Sequence, residues 1–135
     1  MNKMSNKGIT LVEVMTAILL FTLGIAALLG VITQSVQSAK KAGFAYKAYN
    51  LAKSHLDTLR SVSFSDLSSA VETSTAINEQ GVPDADGEFI RNTTVSTSYT
   101  GDGALTYVKV SVNYVFQSHQ SASPMEVSTV IFSNG

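Results

Sequence analysis

Gly8-Ile9-Thr10-Leu11-Val12-Glu13-Val14-Met15 is the stretch on which the fold turns. The polar segment before it, Met1 to Lys7, carries Lys3 and Lys7. After it, no charged residue occurs from Val14 to Ala39, so Glu13 is a lone carboxylate at the head of an apolar run. A charge inside a membrane segment costs about 2.5–3.5 kcal/mol at the helix centre on insertion scales, and it marks a function by default. A secretory signal peptide would place its cleavage site beyond the apolar run, near Gly24-Ile25-Ala26-Ala27 or after Ser35. That reading, like that of a plain single-pass anchor with its lysines on the cytoplasmic side, leaves Glu13 unexplained.

The six residues Gly8 to Glu13 (glycine, a hydrophobic residue, Thr, Leu, a hydrophobic residue, Glu) resemble the site cut by prepilin peptidase in type IV pilin and pseudopilin precursors. The resemblance implies cleavage between Gly8 and Ile9, N-methylation of the new Ile9 amine, and a role for Glu13 in subunit assembly. Ala48, Leu51-Ala52 and the run Leu56-Asp57-Thr58-Leu59-Arg60-Ser61 resemble the minor-pilin subgroup and the I-type pseudopilins of type II secretion. The partners so implied are prepilin peptidase, other pilin or pseudopilin subunits and the inner membrane. The implied location is the inner membrane before assembly, with the C-terminal domain outside the cytoplasm, and then a pilus or pseudopilus.

The organisation follows from the pattern. Residues 1–8 read as a leader peptide, and 9–33 as a transmembrane and assembly helix. The nineteen residues 14–32 span about 28 Å at 1.5 Å per residue, against a bilayer core of roughly 30 Å. Residues 34–63 continue as an amphipathic half, with Val36, Ala39, Ala42 or Gly43, Tyr46, Tyr49, Leu51, Ala52, Leu56, Leu59 and Val62 on the apolar face. Gly24 and Gly30 each cost a helix interior about 1 kcal/mol relative to Ala. They serve either local melting in a filament or close helix approach. Residues 64–87 read as a polar connecting loop.

Residues 88–135 read as an antiparallel sheet. The segment 105–117 alternates, Val108, Val110, Val112, Tyr114 and Phe116 against Tyr107, Lys109, Ser111, Asn113 and Gln117. Gly101-Asp102-Gly103 is a turn signal, and 125–132 gives a last strand. The fold class is α+β: a long N-terminal helix packed on a small antiparallel sheet, as in pilins.

The chemistry of the remaining residues is sparse. The chain has no cysteine and two histidines, His55 and His119, so no zinc spacing and no catalytic triad is visible. Neither an enzyme nor a cofactor is expected. Asp84, Asp86 and Glu88 lack the later bidentate Glu of a calcium loop and read as a solvated turn. Asn92-Thr93-Thr94 matches a glycosylation sequon by chance in a strand-forming segment. The net charge is -1, or -3 once Lys3 and Lys7 are removed. With only Arg91 and Lys109 as cations in the sheet region, there is no strong nucleic-acid signal. A structural subunit therefore leads. A type II secretion pseudopilin, or a membrane-tethered module that contacts DNA, a surface or cargo, stands behind it.

Overall fold

The computed structural model describes residues 8–133, so the leader residues 1–7 and the last two residues of the expected sheet lie outside the described residues. The described chain opens on one helix, α1, Leu11–Leu59, of 49 residues. The chain divides into two compact units, Met1–Lys40 and Lys41–Gly135.

In the first unit, every described side chain through Lys40 is exposed, including Leu19, Leu20, Phe21, Leu23, Leu28, Leu29 and Ile32. The helix is long and apolar enough to cross a membrane. Three of its threonine hydroxyls are accommodated within the helix itself. The Thr16 hydroxyl donates to the Val12 and Glu13 carbonyls at 2.9 and 3.0 Å. Thr22 donates to Ile18 at 3.0 Å and Leu19 at 2.8 Å, and Thr33 to Leu29 at 2.9 Å. A hydroxyl satisfied by its own backbone does not need water, which is what an apolar surrounding requires. The helix runs unbroken through Gly24 and Gly30, and nothing lies within 4 Å of where a Cβ would stand at either.

The second unit holds the core. Ala48, Ala52, Leu56 and Leu59 of the helix are buried with Leu67, Ile77, Phe89, Val108, Val110 and Val112. Phe44 and Leu51 pack against them half-buried. The buried stripe is thus 44, 48, 51/52, 55/56 and 59, advancing by three and four residues. This corrects the expected face: Tyr46 and Tyr49 point away, 68% and 43% exposed. The two alanines explain the choice, since they give the sheet a close approach that two tyrosines would block. Phe44 closes one end of the core against Phe89, Tyr114 and Phe116, with ring centroids 6.0, 6.1 and 5.6 Å away.

After α1, a 3-10 helix, Phe64–Ala70, buries Leu67. The strands are β1 (Glu72–Ile77), β2 (Phe89–Thr97), β3 (Leu105–Phe116), β4 (His119–Gln120) and β5 (Met125–Phe132). All pairings are antiparallel, in the order β1-β2-β3, with β5 pairing Leu105 to Val112 of β3 and β4 pairing Val115 and Phe116 beyond it. The alternation expected for β3 is observed: Val108, Val110 and Val112 are buried, and Tyr114 and Phe116 meet Phe44.

The stretch expected as a connecting loop differs most. It contains the 3-10 helix and all of β1. β1 shows no apolar alternation because it is an edge strand with one fully buried apolar residue, Ile77. Its ladder is interrupted by a bulge at Ser74, whose φ is 50°. The Asn92 side chain fills that gap by accepting the Ser74 N–H at 2.7 Å, so the sequon asparagine is committed to the fold. Gly87 is required by close approach, since a Cβ there would stand 2.2 Å from the Ile77 carbonyl oxygen.

The remaining hold on β1 is ionic. Arg91 on β2 is 5% exposed. Its Nε and Nη2 donate to the two Glu72 carboxylate oxygens at 2.6 and 2.8 Å. Its Nη1 donates to the Gly81 carbonyl at 3.0 Å, tying down the β1–β2 connection. The Thr93 hydroxyl donates to the same carboxylate at 3.1 Å. Arg91 is therefore a buried structural cation, not the surface cation counted from the sequence.

His55 stands on the helix above this pair, its Nε2 3.4 Å from Glu72 Oε2 and without a hydrogen bond among the described residues. Burial and the Arg91 charge push the His55 pKa down, with Glu72 opposing. Burial alone would raise the Glu72 carboxyl, but the hydrogen bonds and charge of Arg91, with Thr93 and His55, hold it below its usual range.

Candidate functional site

Gly8, Ile9 and Thr10 lie outside any helix or strand, and all three are exposed. A Cβ at Gly8 would meet nothing within 4 Å, and Ile9 is 75% exposed. The Gly8–Ile9 peptide bond thus sits in irregular backbone just ahead of a rigid helix. A peptidase active site must embrace the backbone on both sides of the bond it cuts, and a helix would deny it that.

Thr10 ends the irregular segment. Its carbonyl accepts the Glu13 and Val14 N–H groups at 3.1 and 3.2 Å, and its Oγ1 accepts the Glu13 N–H at 3.3 Å. With Leu11 as the first helical residue, Thr10 is the N-cap and Glu13 the third residue of the helix. Thr10-Leu11-Val12-Glu13 has the spacing of a capping box, Ser or Thr followed three residues later by Glu. Glu13 is also the acidic residue of the first turn, where the helix dipole favours a negative charge.

These are features that the sequence reading missed, although the T-x-x-E spacing was there to find. The Glu13 backbone N–H is what meets Thr10; its carboxylate gains locally from the helix dipole, in addition to any use in assembly. Cutting before Ile9 would leave Thr10 and Glu13 one and four residues from a new, positively charged amine. Beside Glu13 along the helix, Val12, Met15 and Leu19 present an exposed apolar surface.

The structure brings Thr10 and Glu13 together and leaves Gly8 and Ile9 accessible ahead of them. The other residues weighed from the sequence have no part in this site. His119 lies in β4, with its Nδ1 2.8 Å from the Gln117 carbonyl. Asp84 uses its carboxylate to accept the Asp86 N–H at 3.0 Å. No group of three or more metal-ligating side chains occurs among the described residues.

The family described as "Prokaryotic N-terminal methylation motif" matches residues 3–29. The matched span contains Gly8, Ile9, Thr10 and Glu13 and the first nineteen residues of α1. The chain thus carries a type IV pilin-like leader, which points to a structural subunit. No curated protein and no solved structure matches the chain.

Proposed function

We propose that the chain is the precursor of a minor type IV pilin, a structural subunit that helps to initiate or modify pilus assembly. Prepilin peptidase cuts between Gly8 and Ile9 on the cytoplasmic face, and the Ile9 amine is then methylated. Residues 9–33 hold the subunit in the inner membrane until they move into the filament. The folded second unit then lies outside the cytoplasm. The observation that carries the reading is the methylation motif over residues 3–29, set on a helix whose described apolar side chains are all exposed through Ile32.

Glu13 connects processing to assembly. A carboxylate surrounded by apolar helices needs a cation, because leaving one partner of a buried pair alone costs several kcal/mol. No Lys or Arg occurs in residues 14–39. The Ile9 amine of the same or a neighbouring chain is the cation at that depth, and methylation leaves it positive. Cleavage therefore creates the partner that Glu13 needs, and uncleaved chains are kept out of the filament.

Intact and N-terminal peptide mass spectrometry of the protein from its native membrane tests the reading. The expected species begins at methyl-Ile9. A chain that still begins at Met1, or one that begins near Ala27, overturns it.

A further inference from the structure

The sequence offers α1 more than one place to start. A helix start is favoured where a short polar side chain accepts one of the unpaired N–H groups of the first turn. Thr10 is such a residue, and so are Ser5 and Asn6, upstream of the Gly8–Ile9 bond. The next downstream is Thr16, more than a turn further into the apolar run. A start at Asn6 would make Lys7, Gly8 and Ile9 the first three helical residues, with the Gly8–Ile9 bond inside the first turn. A start at Thr10 leaves that bond outside the helix. Where the helix begins therefore decides whether the bond can be reached.

The structure takes the Thr10 start: α1 begins at Leu11, and residues 8–10 lie ahead of it. The hold is the Thr10 Oγ1, which accepts the Glu13 N–H at 3.3 Å, together with the Thr10 carbonyl, which accepts the Glu13 and Val14 N–H groups. Gly8 works in the same direction. A Cβ there would meet nothing within 4 Å, so packing among the described residues does not ask for glycine. Glycine is the poorest helix former after proline, and at this position it opposes any extension of the helix upstream past Thr10.

We propose that Thr10 is a positioning residue for leader cleavage: its cap fixes the helix start behind Ile9 and so presents the Gly8–Ile9 bond to the peptidase in irregular backbone. The proposal rests on the processing reading above. Without the Thr10 hydroxyl, a start at Thr16 would leave the backbone groups of Leu11 to Met15 unpaired beside the apolar run, which a membrane penalises. The start therefore moves upstream, to Asn6 or Ser5, and takes the bond into the helix.

Thr10 and Glu13 thereby have separate tasks. Thr10 is held through the backbone N–H of Glu13, which any residue but proline supplies. The Glu13 carboxylate is not used in that contact and stays free for assembly. Thr10 acts before cleavage, and the Glu13 carboxylate after it.

The test uses the full precursor in detergent micelles, mixed with host membranes that contain the peptidase. Two substitutions separate capping from shape. Thr10→Val keeps the size of the side chain and loses the acceptor oxygen. Thr10→Asn changes the shape and keeps an acceptor on one of the best capping residues. Cleavage of Thr10→Val should be about fivefold slower, the shift in helix start that a lost cap brings, and Thr10→Asn and Glu13→Val should stay within about twofold of wild type. The Cα chemical shifts of Gly8 and Ile9 should be non-helical in the wild type, move to helical values in Thr10→Val and return in Thr10→Asn. A wild-type precursor left uncut at Gly8–Ile9 defeats the processing reading. Wild-type cleavage with an unslowed Thr10→Val defeats this proposal alone, and so do non-helical shifts in Thr10→Val. Cleavage of Thr10→Asn as slow as that of Thr10→Val also overturns it, because the peptidase would then be reading the Thr10 side chain itself.

Discussion

Residues 11–40 and residues 41–133 obey opposite rules. In the second unit, apolar side chains meet one another: Phe89, Ile77 and the β3 valines are fully buried, and a buried arginine finds its carboxylate. In the first, the apolar side chains are exposed and only the threonine hydroxyls are satisfied internally. A helix apolar all round is stable only where something other than water surrounds it. The second unit is specified by contacts within the chain; the first is not, and on the function proposed above a membrane and neighbouring chains supply its surroundings. Substitutions in one unit should therefore leave the property of the other untouched.

Assembly should show the largest effect. Glu13→Val removes the carboxylate that the Ile9 amine would pair with, while the cleaved bond and the Thr10 cap remain. Membrane insertion and cleavage should continue, and the amount in sheared filaments should fall at least tenfold. The thermal midpoint of the second unit should not move. Quantitative immunoblotting of filament and membrane fractions reads the first effect, and calorimetry the second. Wild-type incorporation of the valine variant would remove Glu13 from assembly and leave it as a helix-start residue only.

The reciprocal experiment is Phe89→Ala. Phe89 is fully buried and contacts the Phe44 ring, so truncation should destabilise the second unit by about 3–5 kcal/mol, as large-to-small core changes do. Denaturant unfolding measures the loss. N-terminal mass should still show cleavage at Gly8–Ile9. A loss of cleavage in this variant would show that the two units do not behave independently.

The two units also differ in how far the sequence revealed them. The processing motif and the apolar run are local, so consecutive residues expose them without any knowledge of the fold. β3 was legible for the same reason, since its alternation lies within twelve residues. β1 was not. Its identity depends on Glu72 meeting Arg91 nineteen positions later, and on Asn92 filling a bulge eighteen positions earlier. The apolar face of the helix was half legible: the spacing was right, but the sheet chose Phe44 and Ala48 over Tyr46 and Tyr49. In each case the missing information was a long-range contact that residue type and spacing do not encode.

The hidden ionic contact makes its own prediction. Arg91→Met leaves Glu72 without its main partner and should cost about 2–3 kcal/mol, less than a fully buried pair because Glu72 keeps some exposure. Adding Glu72→Met should recover most of that. The pH dependence has a definite sign. His55 and Glu72 are both held below their ordinary pKa values, so the unfolded chain binds protons at these groups before the folded one does. The His55 contribution is complete above its ordinary value of 6.5 and is lost as pH falls through its lowered folded value. The Glu72 contribution follows at lower pH, below 4.5. Urea midpoints from pH 8 to 4 should therefore decline on the acid side. His55→Gln should flatten the upper part of that decline and leave the lower part. A midpoint that rises on mild acidification would mean that protonated His55 gains more from Glu72 than it loses to burial and Arg91.

The smallest effect concerns the two helix faces within the second unit. Tyr46 is 68% exposed, so Tyr46→Ser should change the stability of the second unit by no more than about 0.5 kcal/mol. Phe44, two residues earlier, contacts three aromatic rings, and Phe44→Ala should cost about 2–3 kcal/mol, below the usual range for a fully buried Phe. The pair separates the observed face from the one expected on periodicity alone, which placed Tyr46 inward. The exposed tyrosine also bears on the contrast between the units. Tyr46 and Tyr49 lie on the helix face that the sheet leaves uncovered, so here the second unit resembles the first, with apolar area offered outward. If Tyr46→Ser leaves unfolding unchanged yet lowers the amount in filaments, dependence on neighbouring chains extends past Lys40 along that face. If both measurements stay at wild type, that dependence does not reach Tyr46.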